Sequence, residues 1–177
     1  ETTRYIDWRL YGKTDKLFVR RYEEETNLRC QIVIDHSPSM FFPVDHERKG
    51  LDSKLGFSVK SAAALLYMLH QQRDATGLSL FSETLDLHTP ARSSVSHMAM
   101  LYAELEKLLE AGWNQQSGKT QVAQSLHLIA EAMPKRSLAI IFSDMFEDTA
   151  DIEHFFSALQ HLKHNKHEVI LFHVTDA

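Results

Sequence analysis

Cysteine is nearly absent from this 177-residue chain, which contains only Cys30. A single thiol cannot form an intramolecular disulfide, so cysteine usage gives no reason to place the protein outside the cell. Cys30 lies within the apolar run Leu28–Ile34, which predicts a buried strand residue rather than an activated catalytic thiol. Glycine and proline are also scarce, at 6 and 4 residues, and 44% of residues are hydrophobic. This composition excludes collagen-like, low-complexity and disordered chains.

Excess positive charge and long apolar runs are missing as well. Lysine and arginine number 19 against 24 aspartate and glutamate, which gives a net charge of −5 and does not favour nucleic-acid binding. The runs Ala62–Leu69 and Leu138–Phe142 are far shorter than the roughly 20 residues that cross a bilayer. We therefore expect no nucleic-acid partner, no membrane contact from this segment and a cytoplasmic location. Because the chain begins at Glu1 and not at methionine, we expect it to be part of a longer protein.

Strand-like and helix-like patterns alternate along most of the chain. The strand patterns lie at 28–34, 77–81, 84–89, 138–142 and 169–174, and the helical patterns at 55–66, 98–109, 122–133 and 152–162. Such alternation predicts an α/β domain over residues 28–177, with a mostly parallel central sheet and helices on both faces. The second and third strands form a hairpin, which places one antiparallel strand at an edge. Residues 1–27 do not fit the alternation and are interpreted as an N-terminal extension packed on the domain.

Polar residues follow the predicted parallel strands where those strands end. Asp35, Ser37 and Ser39 come after the first strand, Asp144 follows the strand at 138–142, and Thr120 precedes a helix. Ligands of open parallel sheets bind at the carboxyl ends of the strands. These side chains are therefore expected to converge at one edge of the sheet.

Carboxylate and hydroxyl oxygens are the ligands that hard divalent cations prefer. In this arrangement Ser37, Ser39 and Thr120 would bind Mg²⁺ (or Mn²⁺ or Ca²⁺) directly, and Asp35 and Asp144 would bind it directly or through water. Two carboxylates leave the ion with spare positive charge and an open coordination position, which would attract an acidic group of a protein partner. The cysteine and histidine set that zinc needs is absent from these positions.

The five residues Asp35, Ser37, Ser39, Thr120 and Asp144 resemble the metal-ion-dependent adhesion site of von Willebrand factor A domains. The whole chain also resembles a more specific bacterial family called domain of unknown function 58. The blocks that carry this second resemblance are Ile6-Asp7-Trp8, Leu17-Phe18-Val19, Tyr22-Glu23-Glu24-Glu25, Asp35-x-Ser-x-Ser-Met40, Phe142-Ser143-Asp144 and the His-Glu-Val sequence at Glu168.

These resemblances imply a Rossmann-like von Willebrand factor A fold with strand order 3-2-1-4-5. They also imply a non-enzymatic interaction module that works beside a MoxR-type AAA+ ATPase in a chaperone-like or metal-insertion system. The histidine His36 and the pair Phe41 and Phe42 flank the proposed site. His36 would contact a partner, tune or compete with metal binding, or simply lie in the loop, and the phenylalanines would contact a partner or fold back onto the domain.

Two alternatives to the metal-binding interaction module stay open. The first is a metal-free scaffold whose adhesion site has degenerated. The second is a metal-dependent, phosphatase-like enzyme, because aspartyl phosphotransferases of a similar fold also begin with an aspartate after the first strand. That chemistry usually needs a second aspartate two residues on, where this chain has Ser37. The chain also lacks a Gly-x-Ser-x-Gly elbow and a glycine-rich phosphate loop.

Overall fold

The computed structural model describes residues 12–14, 28–42, 53–110, 122–144 and 151–175. The strands are β1 (Arg29–Asp35), β2 (Ala75–Phe81), β3 (Leu85–His88), β4 (Leu138–Ser143) and β5 (Glu168–His173). The helices are α1 (Lys54–Gln71), α2 (Val95–Glu110), α3 (Val122–Ala132) and α4 (Asp151–His164), with a short 3-10 helix at Pro38–Phe41. Each element lies within a few residues of its predicted place. The predicted N-terminal extension, residues 1–27, falls outside the described residues except for 12–14.

The five strands form one sheet in the order β3-β2-β1-β4-β5. Strand β1 pairs in parallel with both β2 and β4, and β4 pairs in parallel with β5. The hairpin strand β3 pairs antiparallel with β2, with a register shift between Leu80 and Phe81. This confirms the predicted α/β class, the antiparallel edge strand and the order 3-2-1-4-5 implied by the von Willebrand factor A resemblance.

Hydrophobic side chains cover both faces of the central strands. Along β1, Ile32 and Ile34 belong to one buried cluster and Val33 belongs to the other, as the two-residue period of a strand requires. Helices α1 and α2 pack over the first face through Leu55, Leu66 and Leu101, and α3 and α4 over the second through Leu126, Ile129 and Leu162. None of the helices that the structure describes has both the length and the hydropathy needed to cross a membrane.

The single thiol lies in this core, as predicted. Cys30 is completely buried in β1. Burial, with a smaller contribution from the charge of Asp74, raises the pKa of its thiol to about 12. A thiol with that pKa stays protonated at neutral pH, so Cys30 is a packing residue and not a nucleophile.

Candidate metal centre

The carboxylate of Asp35 lies at the carboxyl end of β1 and is only 1% exposed. Its Oδ1 accepts a hydrogen bond of 2.9 Å from the backbone amide of Ser37, and this turn ends the strand. Its Oδ2 accepts a hydrogen bond of 2.6 Å from the hydroxyl of Ser143. Because β1 and β4 are parallel neighbours, their last residues meet at the same edge of the sheet. Both donors are neutral, so they stabilise a carboxylate at Asp35 without cancelling its charge.

The loop after β1 presents two hydroxyl groups beside this carboxylate. Pro38 begins the 3-10 helix, where its fixed backbone angle suits the first helical position. Met40 is fully buried, and its amide donates to the carbonyl of Ser37 over 3.0 Å, which anchors the loop on the core. In this loop the Oγ atoms of Ser37 and Ser39 lie 3.1 Å apart. The structure therefore brings Asp35, Ser37 and Ser39 together, as the sequence predicts.

A second carboxylate, that of Asp144, follows β4 at the same edge and is paired with a lysine. Oδ2 of Asp144 lies 2.6 Å from Nζ of Lys54, and their side chains are 11% and 15% exposed. Lys54 is the first residue of α1, which starts there because the side chain of Ser53 accepts a hydrogen bond from the amide of Gly56 over 3.1 Å. Nε2 of His173 lies 3.0 Å from the backbone carbonyl oxygen of Asp144.

Negative charge is unfavourable at this edge of the sheet. Burial raises the pKa of Asp35, and the charge of Asp144 raises it further, while hydrogen bonds from Ser143 and Ser37 oppose the shift. A bound cation would favour the ionised form of Asp35 and so oppose the rise in its pKa. The electrostatics thus suit a positively charged ligand.

The donor chemistry of the site fits a hard divalent cation. Asp35 and Asp144 offer carboxylate oxygens, and Ser37 and Ser39 offer hydroxyl oxygens, which is the type of set that Mg²⁺ uses with several waters. Within the described ranges, no group of three or more histidine, cysteine, aspartate or glutamate side chains could hold a metal. An ion here would therefore depend on hydroxyls and water as much as on carboxylates. The fifth predicted ligand, Thr120, lies outside the described residues.

The three predicted partner-contact residues differ in their surroundings. His36 is bonded to β3, since its Nε2 lies 2.7 Å from Oδ2 of Asp86. Phe41 is partly buried and packs against the core. Phe42 is 60% exposed, and Phe57, in the first turn of α1, is 56% exposed. Phe42 therefore exposes apolar area in the loop that carries Ser37 and Ser39, and Phe41 does not.

Sequence reasoning did not identify two residues of the site, Ser143 and Lys54. Ser143 has a simple signal, because the last residue of β4 must lie beside the last residue of β1 once the strands are placed as neighbours. Lys54 follows the helix-capping Ser53, which marks the start of α1 in the sequence. The start of α1 lies at the carboxyl edge of the sheet. Only the tertiary fold shows that Lys54 contacts Asp144, which is 90 residues away in the sequence.

The strand order β3-β2-β1-β4-β5, with an antiparallel strand at one edge and helices on both faces, is that of a von Willebrand factor A-like α/β domain. The chain belongs to the family described as "Protein of unknown function DUF58", whose model matches residues 1–177. The family that the sequence blocks resembled is therefore confirmed. None of the curated proteins matches the chain.

Similar solved structures come from two Bacteroides species. One is an aerotolerance-related membrane protein of Bacteroides fragilis with multiple mutations to serines, 14% identical over 81% of this chain and 66% of that chain, with a TM-score of 0.58. Another is the conserved hypothetical protein BatB of Bacteroides thetaiotaomicron, 16% identical over 81% of this chain and 65% of that chain, with a TM-score of 0.51. This chain spans just under two thirds of either structure. At these identities the likeness shows the fold alone.

Proposed function

We propose that this domain is a non-enzymatic interaction module that binds a divalent cation and, through it, an acidic side chain of a protein partner. The ligands are Asp35, Ser37, Ser39, Thr120 and Asp144. The main support is the buried carboxylate of Asp35, which neutral donors hold beside the paired hydroxyls of Ser37 and Ser39. The von Willebrand factor A-like fold supports an interaction role in general.

The partner would bind by completing the coordination of the ion. Hydroxyls and waters do not cancel the charge of a divalent cation, so a carboxylate from outside is the natural additional ligand. Phe42, in the loop that carries Ser37 and Ser39, and Phe57, in the first turn of α1, are exposed and offer apolar area to a partner. A partner that presents an acidic residue within an apolar patch fits both features. The class of partner implied by the family resemblance is a MoxR-type AAA+ ATPase.

One observation favours a metal-free scaffold as a second candidate function. Lys54 already supplies a positive charge to Asp144 at 2.6 Å, so the domain has an alternative to a metal ion at this carboxylate. In that case the same face would bind a partner through Lys54 and the exposed phenylalanines. The two candidates differ in whether added divalent cations stabilise the protein.

The test is the melting temperature of chelator-treated protein against added Mg²⁺ and Mn²⁺, with and without acetate as a small carboxylate. Ser39→Ala removes one proposed ligand. Ser96→Ala is a matched control, because Ser96 also shares a hydroxyl pair, with Ser94 at 3.4 Å, at the exposed start of α2. An ion at 100 times its dissociation constant should add about 2.7 kcal/mol of stability if it binds only the folded state.

We expect a rise in melting temperature for the parent and for Ser96→Ala, and a much smaller rise for Ser39→Ala. Acetate should increase the rise in the parent. No rise in any variant, with or without acetate, would contradict the metal site and favour the metal-free scaffold. An equal rise in all three would show that the ion binds elsewhere.

A further inference from the structure

Lys54 is the feature of this site that a metal centre alone does not explain. Its ammonium group forms a 2.6 Å ion pair with Asp144, and both side chains are largely buried. The pair Lys107 and Glu104 on α2 has a similar N···O distance of 2.7 Å, but there the lysine side chain is 67% exposed. Burying an ion pair carries a desolvation penalty that a surface pair avoids. A lysine kept in such a position therefore calls for a reason beyond stability.

The position of Lys54 in its helix is also unfavourable for a cation. It occupies the first residue of α1, and that first turn contains no acidic residue. The amino end of a helix carries partial positive charge, which repels a lysine side chain. The backbone is fixed in place, because the amide of Lys54 donates to the carbonyl of Phe42 over 2.9 Å. The fold thus holds the ammonium group beside the site although α1 itself disfavours it.

The charges next to Lys54 explain why a lysine lies at this position. Asp144 directly follows Ser143, whose hydroxyl donates to Asp35 over 2.6 Å, so the two carboxylates lie near each other and repel when no cation is present. The ammonium group of Lys54 offsets one of the two negative charges. A divalent cation bound to the same carboxylates would take over that role, and it would repel the ammonium group at close range.

Resting on the proposed function, we infer that Lys54 is an internal counter-ion that competes with the divalent cation for Asp144. In the metal-free domain Lys54 neutralises Asp144. When the ion binds, the ammonium group leaves Asp144 and becomes available to the partner's acidic group. Lys54 therefore weakens ion binding. The site would be occupied by the ion mainly when a partner's acidic group interacts with both the ion and the released ammonium group.

The first test is calorimetric titration of chelator-treated protein with Mn²⁺. Lys54→Gln keeps a hydrogen-bond donor without the charge, Lys54→Arg keeps the charge, and Lys107→Gln removes a surface lysine as the matched control. We expect Lys54→Gln to bind Mn²⁺ about tenfold more tightly or better, since neighbouring charges shift ionic equilibria by such factors. Lys54→Arg and Lys107→Gln should keep the affinity of the parent.

The second test needs no substitution and therefore does not depend on how the variants fold. Amine acetylation of the parent, read by mass spectrometry, should increase at Lys54 when Mn²⁺ is added and stay constant at Lys107. Equal or weaker Mn²⁺ affinity of Lys54→Gln, or constant acetylation of Lys54 in a protein that binds Mn²⁺, would overturn the competition and leave the metal site intact. Absence of Mn²⁺ binding in the parent and in Lys54→Gln would instead overturn the proposed function, and the competition with it.

Discussion

The two ends of the parallel sheet use buried polar groups in different ways. At the amino end, the backbone amide of Leu28 donates to Oδ1 of Asp74 over 3.0 Å, and that of Ser137 donates to Nδ1 of His167 over 3.2 Å. These acceptors satisfy amides where strands begin. At the carboxyl end, burial raises the pKa of Asp35, and the charge of Asp144 raises it further.

This difference separates structural residues from candidate functional ones on a single sheet. A buried acceptor that pairs with a strand amide contributes to stability, and its loss leaves the amide unsatisfied. At the carboxyl end, Lys54 offsets the charge of Asp144, whereas the buried Asp35 has only neutral donors, so a bound cation would favour its ionised form. Substitutions at the amino end should therefore change stability, and substitutions at the carboxyl end should change ion binding.

The largest expected effect is at Asp35. Asp35→Asn should abolish the stabilisation by Mg²⁺, which amounts to about 2.7 kcal/mol at 100 times the dissociation constant. The metal-free variant should melt at the same temperature as the parent or higher, because the substitution removes a buried charge beside Asp144. Glu104→Gln, at a partly exposed carboxylate on α2 that pairs with Lys107, is the control and should respond to Mg²⁺ like the parent. A strong Mg²⁺ response in Asp35→Asn would contradict the assignment of ion binding to the carboxyl end of the sheet.

At the amino end, Asp74→Ala should destabilise the fold by about 1–3 kcal/mol, because the amide of Leu28 loses its partner. Asp74→Asn keeps an acceptor oxygen and should lose less. Urea unfolding measures both free energies, and Mn²⁺ titration of the folded variants should give the parent's affinity. A change in Mn²⁺ affinity without loss of stability would contradict the structural role assigned to Asp74 at the amino end.

The adjacent residues Phe41 and Phe42 test the same distinction within the loop at the carboxyl end. Phe41→Ala should cost about 2 kcal/mol in urea unfolding, since the ring packs partly against the core. Phe42→Ala should stay within about 0.5 kcal/mol, because its side chain is largely exposed. Equal losses for both variants would mean that Phe42 is a packing residue and not part of a surface for a partner.

The smallest effect concerns pH at the amino end. Burial lowers the pKa of His167, so the folded state binds a proton less readily than the unfolded state does. Stability should therefore be lost as the pH falls from the unfolded value of about 6.5 through the lowered folded value. His167→Asn, which can still accept from the amide of Ser137, should lose less between about pH 7.5 and pH 5. The measurement is the melting temperature of both proteins across this pH range. The same loss of melting temperature in the parent and in His167→Asn would contradict the role given to His167.

The parts of the fold that local patterns encode were predictable from the sequence. The apolar run that forms β1 and the spacing of Asp35, Ser37 and Ser39 lie within a dozen consecutive residues, so motif and strand end appear together. The strand order came from the family resemblance and not from periodicity. The contact of Lys54 with Asp144 was not predictable, because it depends on where a helix begins relative to a strand 90 residues away. The orientation of Phe41 and Phe42 depends on a 3-10 helix of four residues, which no periodic pattern reveals.

The most direct test of the central claim is a crystal structure of the protein grown with Mn²⁺, with anomalous diffraction recorded from the metal. We predict a Mn²⁺ peak bound by oxygens of Asp35, Ser37, Ser39 and Asp144, directly or through water, with the ammonium group of Lys54 displaced from Asp144. A structure at saturating Mn²⁺ in which Lys54 still contacts Asp144, and no anomalous peak lies at the carboxyl ends of β1 and β4, would contradict the account.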